Sequence, residues 1–138
     1  MPTKVKIFLW RVCTDTLPTK VKLHTRGVLL ETSCGVCHAP PDDMNHIFLS
    51  CPITILSWAL SHLSTKVHLD KAQQVTIWLP NLLHQLPRKD IELVAIILWN
   101  LWNNRNGLTF AGSYADPLSL VSLSMNFLHQ YRETISNP

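Results

Sequence analysis

Cys34, Cys37, His46 and Cys51 stand in a C-x2-C-x8-H-x4-C array, and a chain that must bring four such side chains to one point has few ways to fold around them. Zn²⁺ takes thiolate and imidazole ligands in a closed tetrahedron. A C-x2-C turn aims two sulfurs at one point, and a looped return supplies the other two donors. Three Cys and one His fill the coordination shell and leave no position for a substrate. The competing reading is four unlinked residues whose buried thiols behave as small hydrophobes. Against it, three of the four cysteines fall within eighteen residues that also hold a His at a ligand-like offset.

The spacing sets a local problem. His46 and Cys51 are five residues apart, more than one α-helical turn, so the last ligand needs a helix start or a bend near Ser50-Cys51-Pro52. Pro52 suits the first position of a new helix, where a missing N–H costs nothing. His38 competes with His46 as the nitrogen ligand. We prefer His46, because adjacent residues of a tight turn rarely reach one metal. Cys13, in an apolar helical segment, reads as a core thiol, and the scattered His24, His62, His68, His84 and His129 read as surface or packing residues.

A length of 138 residues fits one domain, and 46% hydrophobic content with five Trp argues for a real core and against disorder. Charge interleaves with apolar positions through the first thirty residues, unlike a signal peptide. The longest apolar run, Ile91 to Trp102, carries Glu92 and Asn100 and is too short to span a bilayer. No membrane partner is expected. The expected setting is intracellular and reducing, nuclear or cytoplasmic, where clustered cysteines favour metal over disulfide.

The net charge of +3 is unevenly spread: residues 1–30 carry +5 and residues 31–138 carry −2. Lys4, Lys6, Arg11, Lys20, Lys22 and Arg26 make up the basic end, which abuts the cysteine array. Three thiolates around Zn²⁺ leave the site slightly anionic, so affinity for RNA or DNA phosphates would rest on these flanking cations. The competing reading is a solvated face.

The pattern predicts an all-α fold, a small helical domain with the zinc-binding loop between its second and third helices. Val5, Phe8, Leu9 and Val12 give Lys4 to Cys13 one buried stripe, with Ile7 and Trp10 opposite beside Lys6 and Arg11. Thr19 caps a short helix to Arg26, stopped by Gly27. Pro52 to Leu63 forms the third helix, with Ile55, Leu56, Trp58, Ala59 and Leu63 as its apolar set. Pro80 and Pro87 break residues 64–87 around a short helix. Asp90 to Asn104 is the strongest helix by pattern, with Asp90 and Glu92 at its start, Arg105 at its end and Gly107 as its stop. Asp116-Pro117 opens the last helix, to about Thr134. Its two apolar sides, Leu118, Val121, Met125 and Leu128 and then Leu120, Phe127 and Tyr131, need partners on both faces. We divide the chain into residues 1–63, the zinc-binding part, and 64–138, a helical extension packed on it as one unit.

Pro2 to Arg11, then Leu17-Pro18-Thr19, Arg26-Gly27, Cys34-x2-Cys37, His46, Cys51-Pro52 and Trp58, together resemble the zinc-binding domain that follows reverse transcriptase in plant LINE-type (non-LTR) retroelement polyproteins. These matches cover residues 2–58. A weaker one, Trp99-x2-Trp102-x2-Arg105-Asn106-x3-Phe110, is similar to the segment joining that domain to a ribonuclease H-like domain. The resemblance implies zinc binding and nucleic-acid handling in retrotransposition. The chain starts at the family's Pro-Lys segment and ends before a ribonuclease H-like region, which reads as a relic or an excised piece. A missing polymerase or ribonuclease H-like domain is then a candidate partner.

Catalysis is not expected. Asp42-Asp43 lies inside the zinc loop with no flanking hydrophobic strand and no third distant carboxylate, and two-metal chemistry needs carboxylates converging on both cations. Four glycines form no phosphate loop, no hydrolase set is visible, and no small-molecule substrate is indicated. Two functional classes remain: a zinc-stabilised nucleic-acid-binding module, and a structural or protein-interaction module, or decayed fragment, in which zinc only holds the fold.

Overall fold

Helix α5, Arg88–Asn106, is the axis of the molecule, because Leu93 through Leu98 are all buried. A helix apolar on every side must be surrounded. Helices α1 (Thr3–Cys13) and α6 (Pro117–Ser136) both pack on it, as does a π-helical turn at His46–Ser50. Helix α4, Val75–Gln85, lies against α1, and α3, Pro52–Leu60, lies against α6. The short α2 is Lys20–Thr25. The computed structural model describes residues 1–28, 31–69, 73–107 and 114–136, and among these there is no strand, as an all-α chain requires. The metal loop lies between α2 and α3, where the pattern put it.

Local chemistry explains most of the boundaries. Thr19 Oγ1 accepts from Lys22 N–H and starts α2, and Gly27 takes φ +74° just beyond its end, a region that costs glycine no Cβ clash. Asp116 Oδ1 accepts from Ser119 N–H at the head of α6; this hydrogen bond holds the Asp116 carboxyl below the ordinary carboxylate range. Val5, Phe8 and Val12 are buried on α1, while Ile7 and Trp10 face outward. Helix α6 does have partners on two sides, α3 and α5, although Leu118 and Leu123 remain exposed.

Elsewhere the structure departs from the pattern. Pro80 sits inside α4 instead of breaking it. An interior proline costs about 3 kcal/mol, but Val75, Trp78, Leu79 and Leu82 of the same helix are buried, at roughly 1.5–3 kcal/mol for each fully buried aliphatic side chain. Packing wins. Helix α3 stops at Leu60, because Ser61 turns extended and its hydroxyl bonds Trp58 O and Leu63 N–H. The buried face of α3 is Thr54, Ser57 and Trp58, and Ile55, Leu56 and Ala59 point outward. Gly107 is right-handed, φ −58°, and so is not a left-handed stop; Phe110 lies outside the described residues.

An aromatic line ties α1 and α5 to the loop. Phe8 of α1 meets Phe48 edge-on at 6.0 Å, and Phe48 meets Trp102 of α5 at 6.5 Å. The metal loop is thereby seated on the same core as α1 and α5.

Candidate metal centre

The π-helical turn answers the spacing problem set by His46 and Cys51. On an α-helix, residues five apart point about 140° away from each other. Here Cys51 N–H bonds His46 O at 2.7 Å, an i to i+5 closure that sets the two residues one wide turn apart. Asp43 Oδ1 accepts from His46 N–H at 2.8 Å and starts the turn. Pro52 ends it, since the residue before proline is pushed out of the helical region, and Cys51 has ψ 133°. The wide turn leaves carbonyls without the usual partners. Thr54 Oγ1 donates to Ile47 O at 2.5 Å and Trp58 Nε1 to Phe48 O at 3.2 Å, both buried.

Cys34 and Cys37 come from a tight turn. Cys34 N–H bonds Ala39 O, His38 N–H bonds Cys34 O, and Val36 N–H points at Cys34 Sγ from 3.3 Å. The four side chains then converge: the three Sγ atoms and a ring nitrogen of His46 lie within 4.8 Å of one another. A metal with sulfur bonds of about 2.3 Å has tetrahedral edges of about 3.8 Å, so small side-chain movements close the group on an ion. Cys37 Sγ is 3.2 Å from His46 Nε2. His38 is exposed, at φ 67°, and stays outside the group. Cys13 is half-buried at the edge of the core, away from it.

The donor set fits a soft or borderline cation. The Cys34 thiol is pulled down to about 3, first by its hydrogen bond with Cys51, while that same contact and burial push Cys51 up. His46 is raised, chiefly by its hydrogen bond to Cys34. Crowded sulfurs that shift one another's protonation in this way are better satisfied by a divalent ion that bonds all of them.

Around the ligands, Asp42 is fully occupied in holding the loop, and Asp43 gives one oxygen to it. Asp42 has no exposed surface; its Oδ2 accepts from Lys20 N–H and from Arg105 Nη2, and its Oδ1 from Arg105 Nε. Asp42 N–H bonds Thr32 O, and Asp42 O accepts from Val21 N–H. From the sequence, Asp42 reads as an acid unsuited to catalysis, and Arg105 as a residue near a helix end within the Trp99-x2-Trp102-x2-Arg105 match. Their pairing across 63 positions had one signal, the Trp102-x2-Arg105 spacing, and no local one.

The six basic residues of the first thirty are not equally exposed. Lys6 and Arg26 are exposed, and Lys4 is exposed with its Nζ 4.8 Å from the Trp99 ring centre. Arg11 bonds Thr16 O, and Lys22 pairs with Asp15. Lys20 is turned inward, 9% exposed, on Glu31 Oε2 and Ser33 O. That contact is the main reason the Glu31 carboxyl is lowered. Trp10, 64% exposed, and Ile7 stand on the outer side of α1 with Lys6.

A helical scaffold that gathers three cysteines and a histidine in a closed group defines a structural metal-binding module. Residues 1–58 match the family described as zinc-binding in reverse transcriptase, and this match and the cysteine–histidine group fit a retroelement-derived zinc-binding domain. Over 114 residues the chain is 27% identical to a protein of Arabidopsis thaliana described as "Putative ribonuclease H protein", a match spanning 80% of this chain and 18% of that relative's length. No solved structure matches. Among the described residues, no helix is long and apolar enough to cross a membrane.

Proposed function

We propose that the chain is a zinc-ordered module without catalysis of its own, which holds nucleic acid non-specifically through phosphate contacts. The observation that carries this reading is the convergence of Cys34, Cys37, His46 and Cys51 beside α2, which carries half-buried Lys22 and is followed at once by exposed Arg26. Four protein donors close a zinc ion to substrate, so the ion serves shape. Asp42 and Asp43 are spent on loop contacts and are poorly suited to bind catalytic cations. The phosphate-facing set is Lys4, Lys6, Arg11, Lys22 and Arg26, with Lys20 acting through the fold. Residues 1–63 form the zinc-binding part and 64–138 its helical extension, within an intracellular protein. A polymerase or ribonuclease H-like domain is the natural neighbour.

Fluorescence anisotropy with labelled RNA and DNA of several sequences tests this. Two or three simultaneous phosphate contacts give a log K against log salt slope of roughly −2 to −3, with little sequence preference, since phosphate contacts carry no base information. Charge reversal of Lys22 and Arg26 to Glu weakens all substrates alike while zinc is retained. A second reading, a protein-interaction module, is favoured by exposed Ile55, Leu56 and Leu60 on α3 and Leu118 and Leu123 on α6. Absence of any binding at low salt by the folded, zinc-loaded chain, together with self-association, selects it.

A further inference from the structure

The Asp42–Arg105 pair is the most thoroughly buried charge pair among the described ion pairs, at 0% and 2% side-chain exposure. Isolated buried charges are costly, and a buried pair is often no more stable than apolar residues of the same size. Its position gives the pair a use. Asp42 belongs to the stretch between Cys37 and His46, so the carboxylate is part of the metal loop itself. The Arg105 fork takes both its oxygens, with Nη2 at 2.5 Å and Nε at 3.3 Å, and the guanidinium lies 4.8 Å from the Trp102 ring centre. Arg105 also lines one small cavity with Cys34 and Cys51, whereas Asp42 does not. The cation is therefore on the sulfur side of the pair.

Zn²⁺ with three thiolates and a neutral imidazole carries one net negative charge, held here by buried Cys34 and Cys51 and half-buried Cys37. A low-dielectric pocket penalises that charge unless a cation or hydrogen-bond donors face it. Val36 N–H supplies one donor to Cys34. We propose that Arg105 is a positioning residue of the metal centre: it fixes the Cys37–His46 loop on α5 through Asp42 and balances the zinc-thiolate charge across the shared cavity. The same Asp42 receives the first N–H of α2. One arginine, 54 residues beyond the last ligand Cys51, thus joins the metal loop, the basic helix and the central helix.

The inference rests on the zinc assignment above, and its test separates the two. Zn²⁺ affinity is measured by competition with a chromophoric chelator for the full chain and for Asp42→Asn/Arg105→Gln, a neutral polar pair that leaves no unpaired buried charge. Thermal melts and far-ultraviolet circular dichroism are recorded beside it. Partners that orient metal ligands typically contribute tenfold to a hundredfold to metal affinity. The expected result is helical content close to wild type and Zn²⁺ affinity lower by about tenfold or more. A neutral pair that binds Zn²⁺ as tightly as wild type overturns the proposal and leaves a mere packing strut. If the neutral pair does not fold, Arg105→Lys and Arg105→Gln decide: the charge-retaining variant is expected to bind about tenfold more tightly, and equal affinities overturn the proposal. A wild-type chain that binds no Zn²⁺ defeats the zinc assignment instead.

Discussion

Helices α2 and α5 flank the same loop and are held by opposite means. The middle of α5 is six consecutive buried apolar residues, Leu93 to Leu98, and its position follows from removing them from water. Helix α2 has six residues and buries only Lys20. Thr19, the Asp42 carboxylate and backbone, and the Lys20–Glu31 pair hold it. Isolated helices this short do not persist in water. The comparison teaches that the metal loop has two kinds of neighbour: α5 provides the seat, and α2 depends on the loop for its order. A metal bound to that loop is therefore expected to order the part of the molecule that carries Lys22 and Arg26.

The largest effect that could break this contrast is metal removal. Structural zinc contributes on the order of 10 kcal/mol to the folding of small metal modules. Chelation is expected to strip hydrogen-exchange protection from α2 and residues 31–51, while residues 93–98 stay protected within a smaller core. Equal loss along the whole chain would instead make it one cooperative unit. Next comes the converse experiment. Ile97→Ala removes a fully buried side chain of α5 and should cost about 2–4 kcal/mol of global stability, read by urea unfolding, with zinc stoichiometry unchanged in the folded fraction. Loss of metal from well-folded Ile97→Ala would show that the seat shapes the ligands directly.

Much of this contrast was legible in the sequence. The ligand spacing selected the four residues that converge, and His46 over His38. Thr19, Gly27 and Asp116-Pro117 marked helix ends because capping chemistry is local. The 3.6-residue period found the buried stripe of α1 and the existence of α5 as the strongest helix. What escaped was chemistry settled by distant partners. Nothing near Pro80 announces that Trp78 and Leu79 will bury deeply enough to carry the helix through it. The π-helical turn became visible only with Thr54 and Trp58 in place to satisfy its carbonyls. The outward face of α3 was misjudged because Ser57, a small polar residue, sits where the helix packs. Arg105 looked like an ordinary basic residue near a helix end until Asp42 lay against it.

Two smaller effects sharpen the comparison. Thr19→Ala removes the cap of α2 and should cost about 1 kcal/mol, detected as faster amide exchange in residues 22–25 with α5 unaffected. No change would assign the order of α2 to Asp42 and the Lys20–Glu31 pair. Lys66→Ala breaks a half-exposed pair with Asp90 near the start of α5 and should shift stability by less than about 1 kcal/mol. A larger loss in thermal melts would show that α5 relies on charge as α2 does.

The most direct measurement is metal content of purified, folded protein by mass spectrometry under non-denaturing conditions, for wild type, Cys34→Ser, Cys13→Ser and His38→Ala. Wild type, Cys13→Ser and His38→Ala are predicted to carry one zinc per chain, and Cys34→Ser to lose it together with the order of α2 and the loop. Full zinc stoichiometry and unchanged stability in Cys34→Ser would contradict the account.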